Sequence, residues 1–258
     1  MFNYIKSELY RVLHSKGIYI LTGICTGLLL TMNVLLFICS LEGPDFPYNT
    51  TKFAFSMMTG AFQPILILTL CLGTIIFADE YKNRTLMNSI SYGYSRIGLF
   101  LGKVAVGMIV SVLVLIFALA VFIGSAYLFL ENSGTEYLYV LLKGFVMNIP
   151  ILIAGEIGAY MFLFLFDKTA AVTWSWLGLI AFLPTVFGLL GLKFPLFAEM
   201  NSWLLYTVIG SYSMDGEGNI IMGYMTGEGA VRCLVSGCIG IVIFLVIGMV
   251  GMAKKEFK

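Results

Sequence analysis

Asp79-Glu80-Tyr81-Lys82-Asn83-Arg84-Thr85-Leu86-Met87-Asn88-Ser89-Ile90-Ser91-Tyr92-Gly93-Tyr94-Ser95-Arg96-Ile97-Gly98-Leu99-Phe100-Leu101-Gly102-Lys103 carries six charges in 25 residues and separates two long runs that have none. Phe53–Ala78 upstream has 26 uncharged residues and Val104–Leu130 downstream has 27. A helix needs about 20 apolar residues to cross a bilayer, so both runs can span one and the stretch between them reads as a loop in water. The loop has a helical pattern of its own. Leu86, Met87 and Ile90 fall on one face by spacings of three and four, with Lys82, Asn83, Arg84 and Asn88 elsewhere. Gly93 can end that helix, and Ser95 can N-cap the next, which would run through Lys103 into the membrane. In form this is a docking element held at the membrane surface. A charged hairpin that only links two spans is the competing reading.

Composition sets the class. The chain has 258 residues, of which 60% are hydrophobic and 11% charged, against about 25% charged in soluble domains. The expected fold is an all-α polytopic membrane protein, one membrane domain over 1–258 with no separate soluble unit. The net charge of +1 says nothing about partners. The five cysteines lie inside predicted spans with no Cys-x-x-Cys among them, so they read as packing residues and neither a zinc site nor a disulfide framework is expected.

Residues 1–16 form an amphipathic segment: Phe2, Ile5, Leu9, Val12 and Leu13 make a stripe, with Lys6, Arg11 and Lys16 at polar positions. That pattern suits a helix lying in the membrane interface. Gly17–Leu41 then supplies 25 uncharged residues, too long for the apolar region of about 7–15 residues in a signal peptide. This is the first of six expected spans. The second lies in the latter part of Phe53–Ala78, because Pro44, Pro47, Asn49 and Gly60 suggest an irregular approach. The others are Val104–Leu130, Gly144–Phe166, Thr169–Leu192 after an Asp167-Lys168 turn, and Cys233–Ala253. Within 193–232, the 15 uncharged residues Met200–Met214 are too short to span and too apolar for a free loop. An interfacial or re-entrant helix fits them. Asp215–Asn219 reads as a turn.

Lys and Arg fix the orientation. Six spans put both termini and the 79–103 loop on one side with 11 of the 15 cations, leaving Lys52, Lys143, Lys193 and Arg232 on the other. Both termini are therefore expected in the cytoplasm.

Chemistry-bearing motifs are scarce. The one histidine, His14, sits among surface polar residues, which removes serine–histidine triads and the His-Glu-x-x-His zinc arrangement. Gly102-Lys103 is not a phosphate loop, because Ile97 and Val104 stand where that motif needs Gly and Ser or Thr. No catalytic, cofactor or metal site is expected, and no nucleic acid partner. Glu156 stands apart, near the midpoint of the fourth run and six residues after Pro150. An ionised carboxylate at such depth costs about 3 kcal/mol on insertion scales. Gln63, Asn33 or the backbone freed at Pro150 are the candidate polar partners. Two roles stay open: a polar lining of a substrate path shared with Gln63, or a protonated, hydrogen-bonded acid that fixes helix packing.

The order of these parts resembles the permease subunits of type-2 ABC exporters: an interfacial helix, six spans, a basic amphipathic loop after the second, and a half-buried stretch before the sixth. In that family the loop commonly begins Glu-x-x-x-Gly-Thr; here Glu80 and Thr85 match, and Arg84 replaces the glycine. The resemblance implies that Glu80, Arg84, Thr85, Leu86, Met87 and Ile90 couple this chain to a separate cytoplasmic ATPase subunit. ATP and Mg would bind on that partner, so this chain would not itself be an enzyme. It further implies a second permease subunit, identical or similar, in a bacterial cytoplasmic membrane. Size and short outer loops are most similar to bacitracin- and lantibiotic-type resistance or immunity exporters, whose substrates are peptides or other amphipathic molecules. A secondary transporter using Glu156 as an intramembrane proton or ion site is the alternative.

Overall fold

A computed structural model describes residues 2–43, 46–83, 93, 95–214 and 220–255; at 78–83, 213, 214 and 220 it describes the backbone alone. Helix α1 (Phe2–Leu13) precedes α2 (Lys16–Glu42), the first long apolar helix. The second apolar run is broken, as its Gly60 suggests: α3 (Thr51–Gly60) and α4 (Gln63–Asn83) meet at 64°. Next come α5 (Arg96–Phe129) and α6 (Glu136–Leu165), each long enough to cross a bilayer. The following span is α7 (Thr169–Leu177) and α8 (Leu183–Gly191), joined through a π-helical turn at Gly178–Phe182. Helix α11 (Gly227–Lys254) completes the set. Five helices, or six with the bent pair counted as one span, are long and apolar enough to cross a membrane. The molecule is an all-α polytopic membrane protein.

Helix α6 is the axis. It has the largest buried share of these spans, and α3, α4, α5, α7 and α11 all pack on it. Buried aromatic rings fill the layer around it: Phe77 and Phe100 both pack edge-on against Phe164. Trp176 is fully buried, and its indole N–H donates to the Leu66 carbonyl at 3.1 Å, satisfying the one polar atom of a large apolar side chain. By contrast the outward faces of α2, α5 and α11 carry exposed Leu, Ile, Val and Phe, as expected of surfaces in contact with lipid rather than water.

The segment before the last span is short elements, not one helix. Helix α9 (Pro195–Asn201) packs on α8 with Phe197 against Phe187. Helix α10 (Leu205–Ile209) buries Val208 and Ile209 among α4, α6 and α11. An antiparallel pair, β1 (Tyr212–Met214) with β2 (Ile220–Met222), is the small departure from an all-helical fold; the expected turn at Asp215–Asn219 lies outside the described residues.

The two ends of the bundle are each tied together. At one, the Thr51 amide donates to the Glu131 carbonyl and the Glu131 amide to the Asn49 carbonyl, joining the loops after α2 and α5. At the other, Arg96 donates to the Lys255 carbonyl at 2.6 Å, and Lys255 pairs with Asp167 at 2.6 Å. Lys255 also donates to the Phe164 carbonyl at the C-terminus of α6, where a cation is favoured by the helix dipole. Since α1 packs on the first turns of α5 through Glu8 and Lys103, α1 and Lys255 sit at this same end of the bundle.

Candidate functional site

The helices that flank the 79–103 loop are described, but its tip is not. Arg84, Thr85, Leu86, Met87 and Ile90 lie outside the described residues, and Glu80 is described in its backbone alone. The helix that Gly93 would end lies outside the described residues, whereas the expected Ser95 cap is present. Gly93 has φ +90°, a left-handed conformation suited to glycine. Ser95 caps α5, its hydroxyl accepting from the Gly98 amide at 3.1 Å.

Lys103 departs from the expectation that water bathes the loop to its end. Its side chain is 0% exposed and its ammonium contacts the Glu8 carboxylate of α1 at 2.5 Å, 5.3 Å from the centre of the Phe77 ring. Ser95 starts α5 eight residues earlier, so Lys103 already lies two turns inside that helix, facing α1. Arg11 joins the group, donating to Glu8 at 2.8 Å and to the Ile76 carbonyl of α4 at 2.8 Å. Burial alone would raise the Glu8 carboxyl, but Lys103 and Arg11 together outweigh it and hold the group below its ordinary range.

The amphipathic stripe of α1 is therefore only part of its packing face. Val12 is buried, and Ile5 and Leu9 pack on the core, but Phe2 is 78% exposed. Tyr4 and Glu8 take its place on the inner face, each four residues from the next member of the series ending at Val12. Gly102 makes room for this, because a Cβ there would stand 2.8 Å from Tyr4 Cε1. Sequence reasoning missed Glu8. The available signal was Lys103 itself, a cation at the mouth of an uncharged run and in need of a partner.

Glu156 lies 4% exposed in α6. Its carboxylate accepts from the Ser111 hydroxyl of α5 at 2.8 Å and from the Tyr160 hydroxyl one turn on at 3.0 Å. The expected partners are elsewhere. Gln63 donates to the Tyr206 carbonyl, and Asn33 joins α2 to α5 through the Phe122 carbonyl and the Ser125 hydroxyl. The Tyr160 ring is itself wedged against α5 at Gly107, where an added Cβ would fall 1.9 Å from its hydroxyl oxygen. Glu156 and Gln63 thus have separate hydrogen-bond partners, and neither lines the cleft at Ser40, Phe46 and Glu131 or the one at Trp203, Glu228 and Arg232.

What the chain offers chemically is a stitched helix bundle in which α1, Lys255 and the helices flanking the 79–103 stretch meet at one end. A family model described as ABC-2 family transporter protein matches residues 4–185, which is 182 of 258 residues (185 − 4 + 1) and includes the whole 79–103 loop. No curated protein and no solved structure matches. The chain belongs to the ABC-2 family of transporter proteins, as the multi-pass permease component of an ABC transporter.

Proposed function

We propose that this chain is the permease subunit of an ATP-driven exporter, and that its 79–103 loop seats in a separate cytoplasmic ATPase subunit. The observation that carries this reading is the family match, whose bounds of 4–185 enclose that loop and its flanking helices. ATP and Mg bind on the partner, and Glu80, Arg84, Thr85, Leu86, Met87 and Ile90 form the coupling surface. All 258 residues act as one membrane domain in a bacterial cytoplasmic membrane, with both termini in the cytoplasm. The 11-to-4 distribution of Lys and Arg supports that orientation. Two such permeases, identical or similar, enclose the path. The substrate class is an amphipathic molecule such as a peptide antibiotic, which fits the short outer loops and resistance-type size.

The secondary-transporter reading rests on Glu156 alone. That carboxylate is engaged by Ser111 and Tyr160, which favours a packing role over an ion site. The test uses inside-out vesicles holding the permease and the ATPase subunit that co-purifies with it, with bacitracin as the probe. ATP-dependent uptake, abolished by a hydrolysis-deficient ATPase, is expected. Uptake driven by a proton gradient without ATP, and lost in Glu156→Gln, would establish the alternative.

A further inference from the structure

We infer that α1 is a clasp that holds the two helices flanking the 79–103 loop in fixed register, with Glu8 as its positioning residue. This rests on the reading of that loop as the ATPase-coupling element, and adds the part that sets its geometry. Three contacts carry it. Glu8 meets Lys103 in the third turn of α5, the helix leaving the loop. Arg11, held by the same carboxylate, reaches the Ile76 carbonyl of α4, the helix leading into the loop. The Lys103 ammonium also lies over Phe77 of α4. One carboxylate on a surface helix thus touches both arms of the loop through two cations.

The chemistry makes the clasp specific. The Lys103 side chain has no exposed surface and Glu8 is an anionic partner for it, so drift of α1 from α5 would break a buried ion pair. Tyr4 in the notch at Gly102 packs the same helix closely on α5 one turn away. Among the described residues, the groups facing Glu8 are Lys103 of α5 and Arg11 of its own helix, with the Phe77 ring of α4 beside Lys103. A push on the loop is therefore delivered to α4 and α5 as a pair instead of splaying them.

The test works on the purified full-length permease, with its native cysteines replaced by serine and spin labels at Tyr10→Cys on α1 and Ile97→Cys on α5, both at exposed positions. Wild type should give one narrow distance distribution. Glu8→Gln and the wedge Gly102→Ala, which acts without touching any charge, should each broaden it or add a second distance. In complex with the ATPase, each should lower permease-stimulated hydrolysis roughly tenfold, the fold-change equivalent to about 1.4 kcal/mol of coupling, while co-purification of the ATPase persists. Lys103→Met combined with Glu8→Gln removes the ion pair without leaving Lys103 charged and should still give the broadened distribution; a narrow one would overturn the clasp. A narrow distribution and normal hydrolysis in Glu8→Gln and in Gly102→Ala would overturn the clasp. Retention of the ATPase by Leu86→Asp would instead overturn the docking reading beneath it.

Discussion

Replacing Glu156 by leucine tests whether its carboxylate is a packing element. The substitution deletes the acceptor for two hydroxyls, Ser111 at 2.8 Å and Tyr160 at 3.0 Å. Tyr160 is 0% exposed, so water cannot replace the lost bond. Side-chain hydrogen bonds between membrane helices contribute about 0.6 kcal/mol on average and up to about 1.7. Two of them give an expected loss of about 1–3 kcal/mol for Glu156→Leu. Glu156→Gln keeps an acceptor oxygen in the same place, so its expected loss is below about 1 kcal/mol. Unfolding of the purified permease in mixed micelles with increasing sodium dodecyl sulfate measures both against wild type. A Leu variant as stable as wild type would refute the packing argument. A Gln variant that folds normally yet fails to transport would show that the titratable group itself is used.

Gly107→Leu should abolish folding or cost more than about 3 kcal/mol, because even a Cβ would fall 1.9 Å from the Tyr160 hydroxyl oxygen; yield of monodisperse protein measures it, and normal yield would mean the α5–α6 contact is looser than described. The Glu8 carboxyl is held low in the folded protein, so its stabilisation is present above its unfolded value near pH 4.3 and is lost as pH falls through the lower folded value. The stability gap between wild type and Glu8→Gln should therefore be constant around neutrality and shrink below about pH 4.3; a gap that shrinks between pH 6 and 8 would contradict this assignment. For topology, Asn219→Cys in a cysteine-free background should react with an impermeant thiol reagent added to intact cells, whereas a cysteine appended after Lys258 should not; the reverse pattern would invert the orientation.

The spans were legible because a bilayer imposes a length and a composition that no water-soluble helix must obey. Even the break in the second one announced itself through Gly60 and the prolines before it. The contacts between spans were not legible in the same way. Asn33 and Gln63 were reasonable partners for Glu156 by depth, but which helices adjoin is decided by packing, and α2 meets α5 while Gln63 meets the Tyr206 backbone. Tyr160 could have been found, since it lies one helical turn from Glu156; Ser111, 45 residues away, could not. The same holds for Glu8 and Lys103, 95 residues apart and joined only once α1 lies across the start of α5. The π turn at Gly178–Phe182 had no signal beyond a glycine and a nearby Pro184. The proposed coupling residues Glu80, Arg84, Thr85, Leu86, Met87 and Ile90 rest on the sequence pattern and on the family match that encloses them.

Leu86→Asp is the most direct test of the account. If Leu86, Met87 and Ile90 insert in a groove on the ATPase, each buried side chain contributes about 1.5–3 kcal/mol before the cost of association is subtracted. A charge in place of the first should remove most of that gain. The measurement is co-purification of the ATPase with the permease, together with its hydrolysis rate, for wild type, Leu86→Asp and the opposite-face control Lys82→Ala. The account predicts that Leu86→Asp inserts at normal levels but loses the ATPase, while Lys82→Ala behaves as wild type. A Leu86→Asp permease that still bound the ATPase and stimulated its hydrolysis normally would reduce 79–103 to a linker and contradict the central claim.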